Sequence, residues 1–228
     1  IWNIRNTVIN INEYSLFAFI AFNILRIFLM KIPKSIIFNS KESMLQHLKK
    51  GYSKEKSLVI YNGFTRYAPI KKFKNKKDDF NIIYVARYHP QKNYKLLFKS
   101  IEIFKQKYSL NFKLHLVGKG LNTKNKILIK HLKNLNIYEN AILYDLINPI
   151  SVHKLFSKSD ISLLLSTYGE SFPNVIAEAM LYGTFPIATN VGDTKSIIES
   201  FGDTVSKNTS AERIATLIFK YYLLKNKN

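Results

Sequence analysis

Short apolar runs alternate with longer amphipathic segments along the chain from residue 80 onward. The short runs predict strands at 80–86, 112–117, 141–144, 160–166 and 185–189. The longer segments repeat apolar residues every three or four positions and predict helices at 94–107, about 123–135, 149–158, 173–182, 193–199 and 211–222. Strands that alternate with helices favour an α/β fold with a Rossmann-like, doubly wound parallel sheet covered on both faces.

The pattern changes before residue 74. Two further strands are predicted at 36–40 and 58–61, with a helix around 41–50 between them. The polar run 71–79 has the composition of a linker. We therefore predict a boundary near residue 74, so that 1–73 is part of a second α/β domain and 74–228 is the doubly wound domain.

Residues 16–30 (LFAFIAFNILRIFLM) are the most apolar stretch. About 20 residues are needed to cross a bilayer, and this shorter run contains Asn23 and Arg26. A small-residue cleavage site does not follow it, so a signal peptide fits poorly. We expect a mostly buried helix, with a helix lying in a membrane interface as the alternative.

Composition narrows the chemistry. The 228 residues are 46% hydrophobic, which is enough for one sizeable α/β domain and part of another. They include no cysteine, which excludes disulfides, thiolate nucleophiles and cysteine-bound zinc and fits a cytoplasmic location. The formal charge of +20 attracts polyanions in general, including anionic lipid and phosphorylated small molecules. Aromatic residues are not interleaved with the lysines, so we predict no nucleic-acid partner, and an ordinary lysine-rich surface is the simplest reading of the charge.

Ligands of open α/β sheets bind beyond the carboxyl ends of the strands, so the loops that follow strands carry the chemistry. Residues 167–183 (TYGESFPNVIAEAMLYG) stand out among them. Pro173 suits the first position of a helix and Gly183 suits its end. The free N–H groups of the first turn, around Asn174 to Ile176, could then bind a phosphate.

Two carboxylates flank this turn. Ile176, Ala179 and Met180 share one face of the predicted helix, which leaves Glu178 on the opposite side. Taken alone, Glu178 is an ordinary solvated surface residue. Because Glu170 lies eight residues earlier, a ligand role gains weight: one carboxylate can accept hydrogen bonds from a ribose and the other from a sugar.

The segment GESFPNVIAEAMLYGTFPIATNVGD, at 169–193, resembles the E-x7-E region of retaining glycosyltransferases of family 4, which have the GT-B fold and build bacterial surface polysaccharides. The resemblance implies that Glu170 is the catalytic residue that contacts the donor sugar and that Glu178 holds the nucleotide ribose. It also implies donor contacts from the backbone of the turn, namely Ser171, Phe172, Pro173, Asn174 and Val175.

Two upstream segments are similar to further elements of that family. VARYHPQKNYKLL, at 85–97, resembles the loop whose cations grip the diphosphate, here Arg87 and Lys92. Two cations there can stabilise the charge that the departing nucleoside diphosphate gains. LVGKG, at 116–120, resembles the LVG-x-G element and implies a donor contact at Gly118. On its own, glycine at a strand end often serves only the turn.

The resemblance extends to IWNIRNT, SIIFNS and GYSKEKSLVIYNGF in the first 64 residues. By this resemblance, 1–73 is the last part of the acceptor-side domain with the crossover, and 74–228 is the donor-binding domain. The chain is then expected to be a piece shortened at both ends, and the role of Arg5 and the activity of the piece stay open.

The resemblance implies transfer of a sugar from a nucleotide-diphosphate donor to a lipid-linked or saccharide acceptor, with retention. It implies no metal and no other cofactor, since His47, His131 and His153 also lack acidic partners at metal spacing. His89 and His115 are expected to be structural. The charge fits peripheral contact with an anionic membrane, at the inner face of the plasma membrane.

Three other functions compete with this one. A UDP-sugar 2-epimerase shares the two-domain architecture, but the acidic and histidine residues on which it depends are not recognisable here. A non-catalytic nucleotide-sugar-binding fragment is compatible with a shortened chain. A nucleic-acid-binding module would show salt-dependent affinity that survives Glu170→Ala and Glu178→Ala.

Overall fold

The structure is a computed structural model that describes residues 1–7, 15–29, 32–67 and 79–227. The predicted boundary near residue 74 and most of the predicted linker lie outside these residues. The described strands are β1 (Trp2–Ile4), β2 (Ile36–Phe38), β3 (Ser57–Val59), β4 (Phe80–Val85), β5 (Phe112–Val117), β6 (Ala141–Tyr144), β7 (Ile161–Leu164), β8 (Phe185–Thr189) and β9 (Asp203–Val205). The described helices are α1 (Leu16–Leu29), α2 (Lys41–Leu48), α3 (Tyr94–Tyr108), α4 (Lys126–Asn134), α5 (Pro149–Lys158), α6 (Asn174–Leu181), α7 (Thr194–Ile198) and α8 (Ala211–Lys227).

The strands form two parallel sheets. The smaller has the order β1-β2-β3, and the larger has the order β6-β5-β4-β7-β8-β9. Counted from β4, the larger order is 3-2-1-4-5-6, which is that of the dinucleotide-binding folds. The predicted fold class, a Rossmann-like parallel sheet with part of a second α/β domain, is therefore confirmed. In this order the direction of winding reverses between β4 and β7, and ligands bind beyond the carboxyl ends of those two strands.

The core follows from the two-residue period of the central strand. Phe80, Ile82 and Tyr84 point to the face that α3 and α8 cover, whereas Ile83 packs on the other face against α5 and α6. All four side chains are at most 2% exposed. Burial of each large apolar side chain contributes about 1.5–3 kcal/mol, so this strand fixes the position of the loop that follows it.

The prediction that α1 is mostly buried is wrong for the side chains that the structure describes. Leu16, Phe17, Ile20 and Ile24 are 60%, 82%, 46% and 52% exposed. The helix contacts α2 through Phe22, whose ring centroid lies 6.0 Å from that of His47. None of the helices in the described part of the chain combines the length and the apolarity needed to cross a bilayer.

Candidate functional site

The loops that follow β4 and β7 meet at the point where the winding of the large sheet reverses. The hydroxyl of Tyr84, a fully buried residue of β4, donates to the carbonyl of Lys92 and accepts from the N–H of Leu165 at 3.4 Å. Burial raises the pKa of Tyr84 far above its ordinary value, so the hydroxyl keeps its proton and remains a donor. One buried hydroxyl therefore ties the two loops together.

Two of the predicted site residues form an ion pair at this junction. The Lys92 ammonium contacts the Glu170 carboxylate, and the hydroxyl of Ser166 donates to the same carboxylate oxygen at 2.7 Å. The side chains of Lys92 and Glu170 are only 16% and 13% exposed. The Glu170 carboxylate is therefore held in a fixed place, with its charge compensated by Lys92.

Arg87 is linked to the same junction through Gln91, a residue that the sequence analysis did not identify. The Arg87 guanidinium donates to the Gln91 side-chain oxygen at 3.3 Å, and the Gln91 amide donates to the carbonyl of Tyr168 at 2.8 Å. The carbonyl of Gln91 also accepts from the N–H of Thr167 at 3.0 Å. His89 accepts from the N–H of Gln91 at 3.3 Å, which agrees with its predicted structural role.

A cavity of about 560 Å³ lies between the smaller sheet and helices α5 and α6. Asn174 and Glu178 both line it, because residues four apart lie on the same face of a helix. Its remaining lining comes from Asn3, Arg5, Ile37, Asn39, 60–65, Tyr67, Pro149 and His153. The polar groups include four asparagines, Arg5, His153 and Glu178. Such a lining can bind a ligand with many hydroxyl groups.

The Glu178 carboxylate is 30% exposed and faces a buried histidine. Burial raises the pKa of Glu178, and His153 opposes this shift. His153 Nε2 lies 4.0 Å from Glu178 Oε2, and His153 Nδ1 lies 2.8 Å from the hydroxyl of Tyr182. The sequence around His153 shows no acidic partner, because the partner, Glu178, lies 25 positions away on the next helix.

The turn before α6 directs its side chains toward the smaller sheet. The hydroxyl of Ser171 donates to the side-chain oxygen of Asn39 at 2.8 Å, and Asn174 accepts from the Asn62 amide at 2.6 Å. The ring of Phe172 lies 5.7 Å from that of Tyr61. Because the side chains are used in these contacts, the backbone of the turn is the part left to meet a ligand.

Helix α6 begins one residue later than predicted. Pro173 is its N-cap, with φ −74°, and Asn174 is its first residue. The N–H of Ile176 donates to the carbonyl of Pro173 at 3.0 Å, so the prediction that it is free is wrong. The N–H groups of Asn174 and Val175 remain in the first turn, where a helix supplies no internal acceptor.

Two glycines let the loops approach closely. A Cβ atom at Gly118, where φ is +140°, would lie 2.4 Å from the carbonyl oxygen of Ala86. At Gly192, where φ is +57°, it would lie 2.3 Å from the carbonyl oxygen of Ser171. Gly118 is therefore required by the packing of the loop before Arg87, and its contact with a donor stays a prediction.

Asp193, at the end of the same loop as Gly192, joins the two sheets. Its buried carboxylate accepts from the N–H groups of Lys41 and Glu42 at 2.7 and 2.9 Å, at the start of α2. Ser40, the N-cap of α2, accepts from the third N–H of this turn. The open donors of this helix end are thus satisfied partly from the other sheet.

The predicted residues therefore fall into two clusters joined by the turn at 170–174. Lys92 and Glu170 form the first, and Asn174 and Glu178 form the second. Neither residue of the first cluster is among those that line the cavity, and Arg87 is absent from the lining as well. A larger groove of about 760 Å³ between α3 and α4 is mainly apolar and contains none of the predicted site residues.

The described histidines and carboxylates do not assemble into any group of three or more that could hold a metal ion. His115 is 8% exposed, as expected of a core residue, and burial lowers its pKa to about 4. Its ring nitrogens lie 2.9 Å from the Asn81 side-chain oxygen and 3.2 Å from the Tyr144 hydroxyl. This histidine is therefore neutral and belongs to the packing of the sheet.

Two known proteins are similar to this chain in sequence. An uncharacterised 41.2 kDa protein in the cps region of Klebsiella pneumoniae is 30% identical over 179 residues, which is 75% of this chain and 46% of that protein. The capsular polysaccharide biosynthesis glycosyltransferase CapH of Staphylococcus aureus is 25% identical over 150 residues, 65% of this chain and 41% of CapH. The chain thus spans less than half of these relatives.

A mutant of S. aureus TarM, crystallised with fondaparinux, alpha-GlcNAc-glycerol and UDP, has the same fold. Its TM-score is 0.79 at 17% identity, with 98% of this chain and 44% of that chain covered. The sequence profile of the glycosyl transferases group 1 matches residues 68–228, well over half of the chain. On this match, the chain belongs to the glycosyl transferases group 1.

Proposed function

We propose that this chain forms the donor-binding part of a glycosyltransferase. The enzyme transfers a hexose or related sugar from a nucleotide-diphosphate sugar to a lipid-linked or saccharide acceptor in surface polysaccharide synthesis, with retention. The observation that carries the proposal is the ion pair of Lys92 and Glu170 at the point where the winding of the large sheet reverses, four residues before α6 begins. The capsular function named for CapH and the UDP and saccharides crystallised with TarM support it.

The transfer reaction requires separate contacts to the diphosphate, the ribose and the sugar of the donor. Arg87 and Lys92 bind the diphosphate and stabilise the negative charge that it gains as the sugar departs, which requires no metal ion. The N–H groups of Asn174 and Val175 bind an anionic or sugar oxygen at the helix start. Glu178 accepts hydrogen bonds from the ribose hydroxyls, and Glu170 accepts from the sugar.

The ion pair between Lys92 and Glu170 links diphosphate binding to the release of the Glu170 carboxylate. A diphosphate competes with Glu170 for the Lys92 ammonium, since both partners are anionic. Once Lys92 turns to the diphosphate, a Glu170 oxygen is released for a sugar hydroxyl. The diphosphate therefore frees an acceptor position on Glu170 Oε1 that Lys92 otherwise occupies.

Retention and the absence of a metal requirement are part of the proposal, and they rest on the resemblance of 169–193 to retaining enzymes. A lipid-linked acceptor places the enzyme at the cytoplasmic face of an anionic membrane, in keeping with the charge of +20. Because the chain covers 46% and 41% of the two relatives, a fragment that binds donor without transferring it is the second candidate. Transfer assays on a longer chain decide between the two.

Donor binding can be tested on the chain itself. A thermal-shift screen against UDP-, GDP-, ADP- and TDP-sugars is followed by calorimetry with the best ligand. We expect Glu178→Ala to weaken nucleotide affinity about 10- to 100-fold, since it removes charge-assisted hydrogen bonds worth about 1.5–3 kcal/mol. Glu139→Ala is the control. This exposed carboxylate precedes β6, an edge strand, whereas the candidate site lies beyond the central strands β4 and β7.

Glu170→Ala should act differently. It frees Lys92, so affinity for the nucleoside diphosphate is kept or rises, whereas the preference for the sugar nucleotide over the diphosphate is lost. The absence of nucleotide binding by the unmodified chain, or unchanged affinities in both variants, would refute the proposed function.

A further inference from the structure

A short chain of polar groups ends beside Glu178 in the cavity. The buried ring of His153, 5% exposed, lies between Glu178 and the hydroxyl of Tyr182, which is 1% exposed. The same hydroxyl accepts from the N–H of Tyr67 at 2.9 Å. The order of contacts is thus Tyr67 backbone, Tyr182 hydroxyl, His153 ring and Glu178 carboxylate.

The geometry favours one tautomer of His153. When Nδ1 accepts the hydrogen of the Tyr182 hydroxyl, Nε2 carries the ring proton and directs it toward Glu178 Oε2, 4.0 Å away. The opposite tautomer would direct a lone pair at a carboxylate oxygen, which is repulsive. A separation of 4.0 Å exceeds a hydrogen bond, and a carboxylate movement of about 1 Å would bring the pair within hydrogen-bonding distance.

We infer that His153 and Tyr182 are positioning residues that orient the Glu178 carboxylate for a nucleotide ribose. The inference rests on the proposed function. With one oxygen facing the imidazole N–H, the carboxylate turns its remaining acceptor positions toward the cavity that Asn174 and Glu178 share. Without this partner the carboxylate rotates freely, and ordering it reduces the affinity for the ribose.

His153 and Tyr182 lie against Phe156, and the Tyr182 hydroxyl also accepts from the backbone N–H of Tyr67. A buried imidazole and a buried hydroxyl cost desolvation free energy, which their mutual hydrogen bond only partly offsets. His153 lines the cavity beside Glu178, and the buried Tyr182 hydroxyl contacts the far side of the imidazole, which is the pattern of a group that orients a neighbouring ligand residue.

Two substitutions of His153 separate positioning from packing. The amide of His153→Asn reaches only the place of Nδ1, whereas the longer side chain of His153→Gln can place an N–H where Nε2 was. Calorimetry uses the tightest-binding of UDP, GDP, ADP and TDP as the probe. We expect His153→Asn to weaken binding roughly five- to twentyfold and His153→Gln to stay within about threefold of the unmodified chain.

A double-mutant cycle tests that His153 acts through Glu178. In the Glu178→Gln background, His153→Asn should cause no further loss of affinity. Melting temperatures identify variants that fail to fold. If His153→Asn does not fold, Tyr182→Phe, which removes one hydroxyl, takes its place and should cause a smaller loss that also vanishes in the Glu178→Gln background.

The outcomes are distinguishable. Equal losses for His153→Asn and His153→Gln, or independent losses in the cycle, show a packing role and overturn the inference. A normal affinity in His153→Asn beside a weakened Glu178→Gln also overturns it and leaves the proposed function standing. A normal affinity in Glu178→Gln overturns the inference together with the ribose-binding role of Glu178, and no binding of any of the four diphosphates overturns the proposed function as well.

Discussion

Replacing Gly192 by alanine should force apart two loops of the candidate site. A Cβ atom at this position would lie 2.3 Å from Ser171 O and 2.4 Å from Glu170 O. Both contacts are with backbone atoms, so no side-chain rotation relieves them. Ordinary contact begins at 3.4 Å, so the loop that carries Glu170 has to move by about 1 Å.

The expected loss of stability has two parts. The left-handed conformation, with φ of +57°, costs an alanine about 1–2 kcal/mol relative to glycine. Relief of the contact costs about 1–3 kcal/mol more, as for other overpacked sites. Movement of Glu170 by about 1 Å should also lower the rate of sugar transfer about 100-fold in a longer, active chain.

Gly183→Ala is the matched control. Gly183 has φ of +71° and no atom within 4 Å of the added Cβ, so it loses only the conformational part. Urea unfolding gives the difference between the two variants, and calorimetry with the nucleotide gives the effect on binding. Equal losses of stability in the two variants, or a Gly192→Ala protein with unchanged nucleotide affinity, would show that the close approach does not position the loop.

Two further predictions concern Tyr84 and Glu178, whose pKa values are both raised by burial. Tyr84→Phe should lose about 1–3 kcal/mol in urea unfolding and weaken nucleotide binding, because it leaves the Leu165 N–H and the Lys92 carbonyl without their shared partner; unchanged affinity would argue against a role in the site. Burial raises the pKa of Glu178, so the wild type loses stability as the pH rises from the ordinary value through the raised one. Glu178→Gln should therefore melt at a higher temperature than wild type above that interval and equally well below it, and a pH series of melting curves that run in parallel would contradict this.

The sequence predicts the large sheet well because its strands are buried on both faces and read as continuous apolar runs. β5 and β6 have the predicted bounds, and β4 is one residue shorter than predicted. β1 and β9 were missed because neither lies in an apolar run like those that predict β2 and β3, which are equally short. The exposure of α1 could not be read either, because an apolar helix looks the same whether neighbours cover it or not.

The candidate site also contains residues that the sequence predicts and residues that only the fold reveals. Local spacing predicts that Glu170, Glu178 and the start of α6 act together, and family resemblance adds Arg87 and Lys92. The contacts of Tyr84, Gln91 and His153 were not predicted, because each depends on a partner that lies near only in the fold. Gln91 contacts Tyr168, 77 positions away, and no local pattern in the sequence indicates such a pair.

The turn at 170–174 and the loop at 192–193 contact the smaller sheet or α2, and the turn also carries proposed donor-binding groups. Ser171 and Asn174 bond to the smaller sheet through their side chains, and Asp193 bonds to the start of α2. The backbone and carboxylates of the same turn form the proposed donor contacts. A donor that moves this turn therefore alters the fit between the two sheets, and a change in that fit alters the turn.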